Sequence, residues 1–443
     1  MFKLITVLIF VNLLFSCSIK HQTVKDLQRS PQNAFVFVKS DVRLVSKDFQ
    51  ELLNRYFDRF FFSVWHRKKS IYVNKKKKAF WGFYVYPYRE VYGENKKRID
   101  KSWFSSLKKN ADIKNFPSLN MWGITVSNTD LKVFPTHKPI FYSFEKAGEG
   151  FPFDYNQNSS IYAGTPVFIS HISKDKKWYF VEAPFASGWV KVKDIAIIDE
   201  EQKQIYITGS YLAFIKDDVS VIDDDGIFAF KGFIGGILPI IEEKESRYRV
   251  LIPTRDSDGF AVIKTAEVSK VYAVKKPFPL TQMNIAKVIN QTLNKPYGWG
   301  GLYLNRDCSA NIRDIFVPFG VWLPRNSTAQ AKSGIFVPLE DLSEKQKETF
   351  IAKAGIPFLT LVWMPGHILL FVGNKDKKPY VFHNFWGIRT KFLNKEGRII
   401  VGKSAITTLS PHKGIFFVDK ERGIFLKRIK GITYIIPPKY ILK

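Results

Sequence analysis

The chain has 443 residues, a hydrophobic fraction of 45%, an aromatic fraction of 16% and 40 phenylalanines. This composition is ample for buried cores and excludes an intrinsically disordered chain. The formal net charge is +28 at pH 7, but the basic residues are spread over the whole sequence and no nucleic-acid-binding motif accompanies them, which argues against a nucleic-acid partner. The charge fits either attraction to an anionic wall or lipid surface, or an ordinary solvated basic surface.

The first predicted element is an export signal over residues 1–17, where a short basic start precedes an apolar run. Its end, Leu14-Phe15-Ser16-Cys17, resembles a bacterial lipobox. In that pattern the cysteine is diacylated through sulfur and becomes the new N-terminus. The resemblance predicts an exported protein that is lipid-anchored through Cys17 at the periplasmic face of a bacterial membrane, the outer one rather than the inner. A plain signal peptide or a membrane-tethered helix is the alternative.

The next segments are a tether and a helical domain. Residues 18–40 are polar and lack periodicity, so we predict a tether. Residues 41–120 carry apolar side chains at three-to-four spacing, which predicts amphipathic helices over 48–62 and 102–110.

From residue 121 the sequence changes to short runs of β-branched and aromatic residues between turn residues, which is typical of small barrels. We predict a first barrel over 121–200 and a second over 201–275. The expected strands are 123–126, 166–170, 178–182, 188–192, 220–222, 237–242, 248–252 and 260–263.

The last predicted domain spans 276–443 and has mixed structure. A proline-containing linker at 276–279 precedes a helix that begins after Thr281, and a further helix begins at Cys308. Strands are predicted at 358–364, 368–373, 380–383 and 414–418. Helices followed by antiparallel strands indicate an α+β domain, so the whole chain is a multidomain α+β protein.

The chain has two cysteines, Cys17 and Cys308, and they suggest an anchor and a nucleophile rather than a disulfide. Cys308 begins a helix, whose N-terminal N–H groups would stabilise a thiolate and lower the thiol pKa. His367 and His383 lie at the ends of predicted strands and could act as base and orienting partner. A zinc site is not expected, because only these three side chains would be available, without paired ligand spacing.

At these residues the chain resembles the NlpC family of bacterial cell-wall cysteine peptidases. The resemblance is carried by the following segments: Tyr297 to Gly301, Asp307-Cys308-Ser309, Leu323 to Ser327 with Gln330, Pro365-Gly366-His367, and His383. It implies a papain-like domain in which Cys308 is the nucleophile, His367 the general base and His383 its orienting residue. It also implies that Tyr297 lies near the oxyanion and that Asp307 and Ser309 help bind the free amino end of the substrate.

The resemblance extends upstream, where residues 134–190 are similar to the first bacterial SH3-type barrel of modular members with a helical clip domain and two such barrels. It implies hydrolysis of the bond between γ-D-glutamate and a diamino acid in peptidoglycan stem peptides, with a free N-terminal L-alanine. Asp154, Gln157 and Ser159 are candidate substrate-binding residues of the first barrel. Ordinary turn chemistry is the alternative explanation for these three residues.

Two other functions stay open at this point. One is a non-catalytic peptidoglycan-binding lipoprotein with a relict peptidase domain, and the other is an amidohydrolase or acyltransferase on the same fold. In each case the expected partners are peptidoglycan stem peptides and a membrane reached through the lipid anchor. No cofactor or metal is expected.

Overall fold

The computed structural model describes residues 23–442, so the predicted signal and Cys17 lie outside the described residues. The helices of the described part are α1 Lys25–Arg29, α2 Lys47–Phe61, α3 Lys76–Ala79, α4 Gly82–Val85, α5 Lys101–Asn110, α6 Glu200–Tyr206, α7 Gln282–Thr292, α8 Cys308–Phe316, α9 Ser327–Ala331, α10 Glu344–Ala354 and α11 Phe425–Arg428. None of the helices within residues 23–442 has the length and apolar character that crossing a bilayer requires.

The strands form separate sheets for the two barrels and for the C-terminal domain. They are β1 Met121–Thr125, β2 Thr129–Lys132, β3 Gln157–Ile161, β4 Pro166–Ile172, β5 Trp178–Glu182, β6 Ser187–Lys191, β7 Ile195–Ile197, β8 Tyr211–Phe214, β9 Val219–Ile222, β10 Phe228–Gly232, β11 Ile237–Glu243, β12 Arg247–Arg255, β13 Ala261–Ser269, β14 Ala273–Lys276, β15 Ile335–Pro338, β16 Thr360–Met364, β17 His367–Lys375, β18 Lys378–Phe392, β19 Lys395–Thr408 and β20 Gly431–Tyr434.

The described part of the predicted tether, residues 23–40, is not a free linker. It packs on the C-terminal domain, where the Gln32 amide donates to the Ile406 carbonyl at 2.7 Å and accepts from the Ile406 N–H at 3.1 Å. Ile406 lies on β19, which is one of the two edge strands of the sheet. The outer backbone groups of an edge strand lack partners unless another segment covers them. The prediction of a tether was wrong here because a side-chain amide that covers a sheet edge leaves no periodic signal in the sequence.

The main helix of the clip domain is α2. The hydroxyl of Ser46, the residue before this helix, caps it by accepting from the Phe49 N–H. Gln50 on α2 donates to the carbonyls of Phe278 and Phe319, and thereby joins the clip to the C-terminal domain. The shorter helices α3 to α5 pack over the first barrel in one aromatic core. The clip therefore contacts both the first barrel and the C-terminal domain.

Each barrel is an antiparallel arrangement of short strands. The first has the order β3-β2-β6-β5-β4-β1-β7, and the second has the order β13-β12-β11-β8-β14 with β9 and β10 as a separate pair. Gly301, at a φ of +87°, lies so close to Ser160 of β3 that a Cβ there would come within 2.3 Å of the Ser160 hydroxyl. A glycine is therefore required where the first barrel meets the segment that precedes Cys308.

The C-terminal domain is a six-stranded antiparallel sheet with the order β15-β20-β16-β17-β18-β19. Side chains of β17 alternate between its two faces: Ile368 and Leu370 pack in the same core as α8, whereas Leu369 and Phe371 pack in the core that includes Ile351 of α10. The helix with Cys308 therefore lies directly against the strand that begins with His367. The observed mixture of helices and antiparallel sheets confirms the predicted fold class.

The predicted strand at 414–418 was wrong. These residues form turns, and Phe417 has a φ of +60°, a left-handed conformation that an extended strand cannot contain. The sheet is completed instead by β15, β19 and β20. The sequence pattern did not reveal β19 because glycines and charged residues interrupt its apolar residues.

Candidate active site

Cys308 is the first residue of α8. The preceding Asp307 caps the helix, since its carboxylate accepts from the Ala310 N–H at 2.8 Å. Cys308 has 8% of its surface exposed and packs in the core shared by α8 and β17. The cysteine is thus fixed at the helix terminus by local capping and by the packing of the helix on the sheet.

The two predicted histidines meet on neighbouring strands. His367 follows the tight turn at Gly366, which has a φ of +80°, and its Nε2 lies 2.9 Å from Nδ1 of His383. His383 has no exposed surface and its ring stacks on Phe385 with 4.1 Å between the ring centroids. The remaining ring nitrogen of His383, Nε2, lies 3.0 Å from Oγ1 of Thr407 on β19.

The hydrogen bonds of Thr407 determine which nitrogens carry protons. Its hydroxyl donates to the Thr408 carbonyl at 2.8 Å, so Oγ1 is available as an acceptor for the His383 Nε2–H. A neutral His383 then presents an unprotonated Nδ1, which accepts from the His367 Nε2–H. This chain leaves Nδ1 of a neutral His367 without a proton, which is the state that a general base requires. Thr407 was missed in the sequence because a lone threonine on an unrecognised strand gives no signal.

The thiol does not have the lowered pKa that its place on the helix predicted. Burial, followed by the negative charge of Asp307, raises the pKa of Cys308 to about 12, although backbone N–H groups of Ile368 and Ser309 hydrogen-bond the sulfur and act in the opposite direction. Burial, and then the Arg428 guanidinium, lower the pKa of His367 to about 3. The resting pair is therefore a neutral thiol and a neutral imidazole.

Asp307 is already paired with a cation of the same domain. Arg325 donates to both of its carboxylate oxygens, at 2.8 and 3.1 Å, and the Gly300 N–H and the Ser309 hydroxyl donate as well. Arg325 also donates to the Ser159 hydroxyl of the first barrel at 2.8 Å. Both residues are therefore engaged within the protein, and the role predicted for Asp307 and Ser309 at the amino end of the substrate stays a prediction.

The barrel residues Asp154 and Gln157 also have internal partners. Asp154 accepts from the N–H groups of Ile140 and Asn156 and lies 3.5 Å from the Lys132 ammonium. Gln157 accepts from Lys132 at 2.6 Å and donates to the Gly300 carbonyl at 3.2 Å. Gln157 and the fully buried Ser159 therefore connect the first barrel to the C-terminal domain, whereas the partners of Asp154 lie within the barrel. The substrate-binding role of these three residues stays a prediction.

Tyr297 and His367 line one groove of about 300 Å³ between the first barrel and the C-terminal domain. Burial, followed by the charges of Cys308 and Asp307, holds the pKa of Tyr297 well above its usual value, so its hydroxyl remains a donor. The first barrel contributes Phe153 and Tyr155 to the wall of the groove, and Trp299 of the C-terminal domain packs against both rings.

The order of these parts matches known protein families along most of the chain. Residues 294–384 match the NlpC/P60 family, 6–116 match its N-terminal stabilising domain, 139–191 match an SH3 domain of the SH3b1 type and 199–245 match an SH3 domain of the SH3b2 type. A solved structure described as a novel NlpC/P60 endopeptidase from Photobacterium damselae subsp. piscicida is 26% identical, with 92% of this chain and 97% of that chain covered and a TM-score of 0.81.

The chain belongs to the NlpC/P60 family. The resemblance to cell-wall cysteine peptidases with a clip domain and two SH3-type barrels is thereby confirmed, and this NlpC/P60 protein is a cysteine peptidase rather than a non-catalytic binding protein. An NlpC/P60 family protein from Bacillus cereus is 16% identical over 63% of this chain and 83% of that chain, with a TM-score of 0.44. No curated protein sequence matches this NlpC/P60 chain.

Proposed function

We propose that this peptidase hydrolyses the bond between γ-D-glutamate and the diamino acid of peptidoglycan stem peptides through a Cys308-His367-His383 triad. The observation that carries the proposal is the hydrogen-bond chain from Thr407 through His383 to His367. It leaves one nitrogen of His367 free to accept a proton beside the helix that bears the thiol.

In the proposed reaction, Nδ1 of His367 removes the thiol proton as Cys308 attacks the scissile carbonyl carbon. Since the thiol and imidazole are neutral at rest, the thiolate forms only in concert with this transfer. The Tyr297 hydroxyl and the N-terminal N–H groups of α8 would donate hydrogen bonds to the oxyanion. His367 then returns the proton to the departing amine. Water, deprotonated by His367, attacks the thioester carbonyl, the γ-D-glutamyl product leaves as a carboxylic acid, and His367 returns the proton to the departing Cys308 sulfur.

We propose that the natural substrate has a free N-terminal L-alanine because the first barrel would leave no room for the muramic acid that acylates this nitrogen in intact peptidoglycan. Strand β3 of the first barrel lies close to the nucleophile, because Arg325 donates both to Ser159 of β3 and to Asp307, the residue before Cys308. The carboxylates of Asp307 and Asp154 are both engaged, so they supply no free partner for an ammonium. A wall at this position would instead exclude a sugar attached to the alanine nitrogen.

Mass spectrometry of muropeptides digested with the purified protein tests the proposed bond. We expect products that end in γ-D-glutamate and products that begin with the diamino acid. Cys308→Ala should abolish cleavage, His367→Ala should reduce it nearly as far, and His383→Ala should reduce it less, since an orienting residue acts only through the base. Unaltered peptides, or products carrying a transferred acyl group, would contradict the proposal and favour an acyltransferase.

We also propose export and lipid anchoring through Cys17, at the periplasmic face of a bacterial membrane and more specifically of the outer membrane. Support comes from the lipobox resemblance alone. The mature protein should begin at an acylated Cys17 and resist release by salt, because two or three acyl chains hold a protein on a bilayer firmly. Release of the wild type by a salt wash, or a Cys17→Ala variant with unchanged processing, would contradict the anchor.

A further inference from the structure

We infer that four arginines lining the groove beside His367 form a subsite for free carboxylates of the substrate, next to the scissile bond. The four residues are Arg389, Arg398, Arg422 and Arg428. The inference rests on the proposed function, because it concerns which forms of the stem peptide the same site accepts. It predicts that peptides with amidated carboxylates are poor substrates.

Two of the arginines face each other across neighbouring strands. Arg389 on β18 and Arg398 on β19 are directly opposed in the antiparallel register. Like charges in directly opposed positions destabilise a sheet. An anion bound between the two guanidinium groups would relieve this repulsion. A purely structural role for the pair would leave the repulsion uncompensated.

Arg398 has an unmet hydrogen-bonding requirement. Its Nε is buried and has no hydrogen-bond partner, and its guanidinium lies over the Phe153 ring with 5.9 Å to the centroid. Burial, followed by repulsion from Arg389, lowers the pKa of Arg398 to about 10. Gly148 of the first barrel packs on this guanidinium at a φ of +81°, and a Cβ there would come within 2.3 Å of it. The loop therefore leaves room for the arginine, and its carboxylate, Glu149, forms no ion pair with Arg398 among the described residues.

Arg428 connects the cluster to the catalytic histidine. It donates to the Pro365 carbonyl at 2.9 Å, in the turn that directly precedes His367. It also donates to the Arg422 carbonyl at 3.4 Å, which keeps these two arginines together. Burial, and after it the charge of Arg428, lowers the pKa of His367, so this arginine of the cluster acts on the base electrostatically.

The neighbouring carboxylates do not neutralise the four guanidinium groups. Glu396 lies 3.5 Å from Arg422 and 3.9 Å from Arg389, and its side chain is 41% exposed. Asp419 acts on Arg428 electrostatically, but its carboxylate already accepts the N–H groups of Glu421 and Arg422. An excess of positive charge therefore remains in a partly desolvated groove, where a carboxylate is bound most strongly.

The proposed substrate offers the matching groups. A γ-linked glutamate keeps its α-carboxylate free beside the scissile bond, and in a tripeptide the diamino acid contributes one carboxylate if it is lysine or two if it is diaminopimelate. Both sources present the same chemistry to the arginines. Amidation removes the charge of a carboxylate while its size hardly changes, so it separates charge recognition from fit.

The test compares three tripeptides of L-alanine, γ-D-glutamate and diaminopimelate: the free acid, the form amidated on the glutamate α-carboxylate, and the form amidated on the side-chain carboxylate of diaminopimelate. Rates are measured with the wild type and binding is measured by calorimetry with Cys308→Ala. We expect at least one amide to be bound and cleaved roughly 10- to 100-fold more weakly than the acid, as for a lost charged hydrogen bond. The amide that loses binding identifies the carboxylate held by the arginines.

Arginine variants complete the test. Arg398→Gln and the exposed Arg422→Gln, which has little packing to lose, should each weaken binding of the acid and leave binding of the sensitive amide nearly unchanged. Arg247→Gln in the second barrel, an exposed arginine paired with Glu267, is the control and should change neither. Equal rates on the acid and on both amides would overturn the carboxylate subsite, and so would unchanged binding in both Arg398→Gln and Arg422→Gln. Either result would leave the proposed function standing. Cleavage of none of the peptides would overturn the proposed function and this inference with it.

Discussion

Thr407 Oγ1 lies 3.0 Å from Nε2 of His383, on the strand next to the one that bears the histidine. His383 is paired in the register with Ala405, so Thr407 is its diagonal neighbour on the same face of the sheet. Because the Thr407 hydroxyl donates to the Thr408 carbonyl, its oxygen selects the tautomer of His383 and, through it, that of His367.

We expect Thr407→Val to lower kcat roughly 10-fold, the cost of about one hydrogen bond, while KM changes little. Without the acceptor, His383 can adopt the other tautomer, in which Nδ1 carries the proton and can no longer accept a hydrogen bond from His367. Thr407→Ser keeps the hydroxyl and should retain the wild-type rate. Steady-state kinetics on a stem tripeptide provide the measurement. A loss of kcat in the serine variant equal to that in the valine variant would mean that the methyl group, and therefore packing, is what matters.

The free enzyme should react slowly with thiol reagents. A pKa of about 12 for Cys308 predicts alkylation by iodoacetamide at pH 7 on the order of 1,000-fold slower than that of an ordinary thiol of pKa about 8.5. A Cys17→Ser variant leaves Cys308 as the remaining one of the two cysteines, and the same protein unfolded in urea is the matched control. Folded-state labelling as fast as in urea would show that the helix terminus outweighs burial.

Because the first barrel forms a wall at this end of the groove, we expect the enzyme to select the amino end of its substrate by size rather than by charge. The rate on L-alanyl-γ-D-glutamyl-diaminopimelate should be close to that on its N-acetyl form, because neither Asp307 nor Asp154 has a free acceptor for an ammonium. The muramyl tripeptide, in which a sugar lactyl group acylates the same nitrogen, should be cleaved much more slowly. Rejection of the N-acetyl form would show that the charge of the amine is recognised, and equal rates on all three would show that the groove is open at this end.

Stability should decrease as the pH falls below the ordinary histidine pKa of about 6.5. Burial, followed by His367, holds the pKa of His383 well below that value. The unfolded chain therefore binds a proton at a pH where the folded protein does not, and this lowers the free energy of unfolding by up to about 1.4 kcal/mol per pH unit for each such histidine.

Thermal unfolding between pH 7 and pH 4 measures this dependence. The melting temperature of His383→Asn should fall less steeply with decreasing pH than that of the wild type. His66→Asn, at an exposed position of the clip, is the control and should leave the slope unchanged. Parallel curves for the wild type and His383→Asn would contradict the prediction.

The local features of this protein could be predicted from its sequence. The helix that begins at Cys308, the strand that begins at His367 and most barrel strands follow from capping residues and from periods of two or three to four residues, which depend on near neighbours. The order of the domains followed from the same patterns and from motif resemblance. The pairing of His367 with His383 could be anticipated from two predicted strands 16 residues apart, although β18 continues past His383 to Phe392.

Other properties depended on groups that only the tertiary structure brings together. The thiol pKa was predicted in the wrong direction, because a helix terminus is visible in sequence whereas the burial that outweighs it is not. Arg325 was visible in the motif, but its simultaneous contacts with Asp307 and with Ser159 of another domain were not. The arginine groove joins a β18–β19 hairpin to a turn and helix some 20 to 40 residues later in the chain. Sequence determines what each segment can form, whereas burial, charge compensation and unmet hydrogen bonds arise only when distant segments pack together.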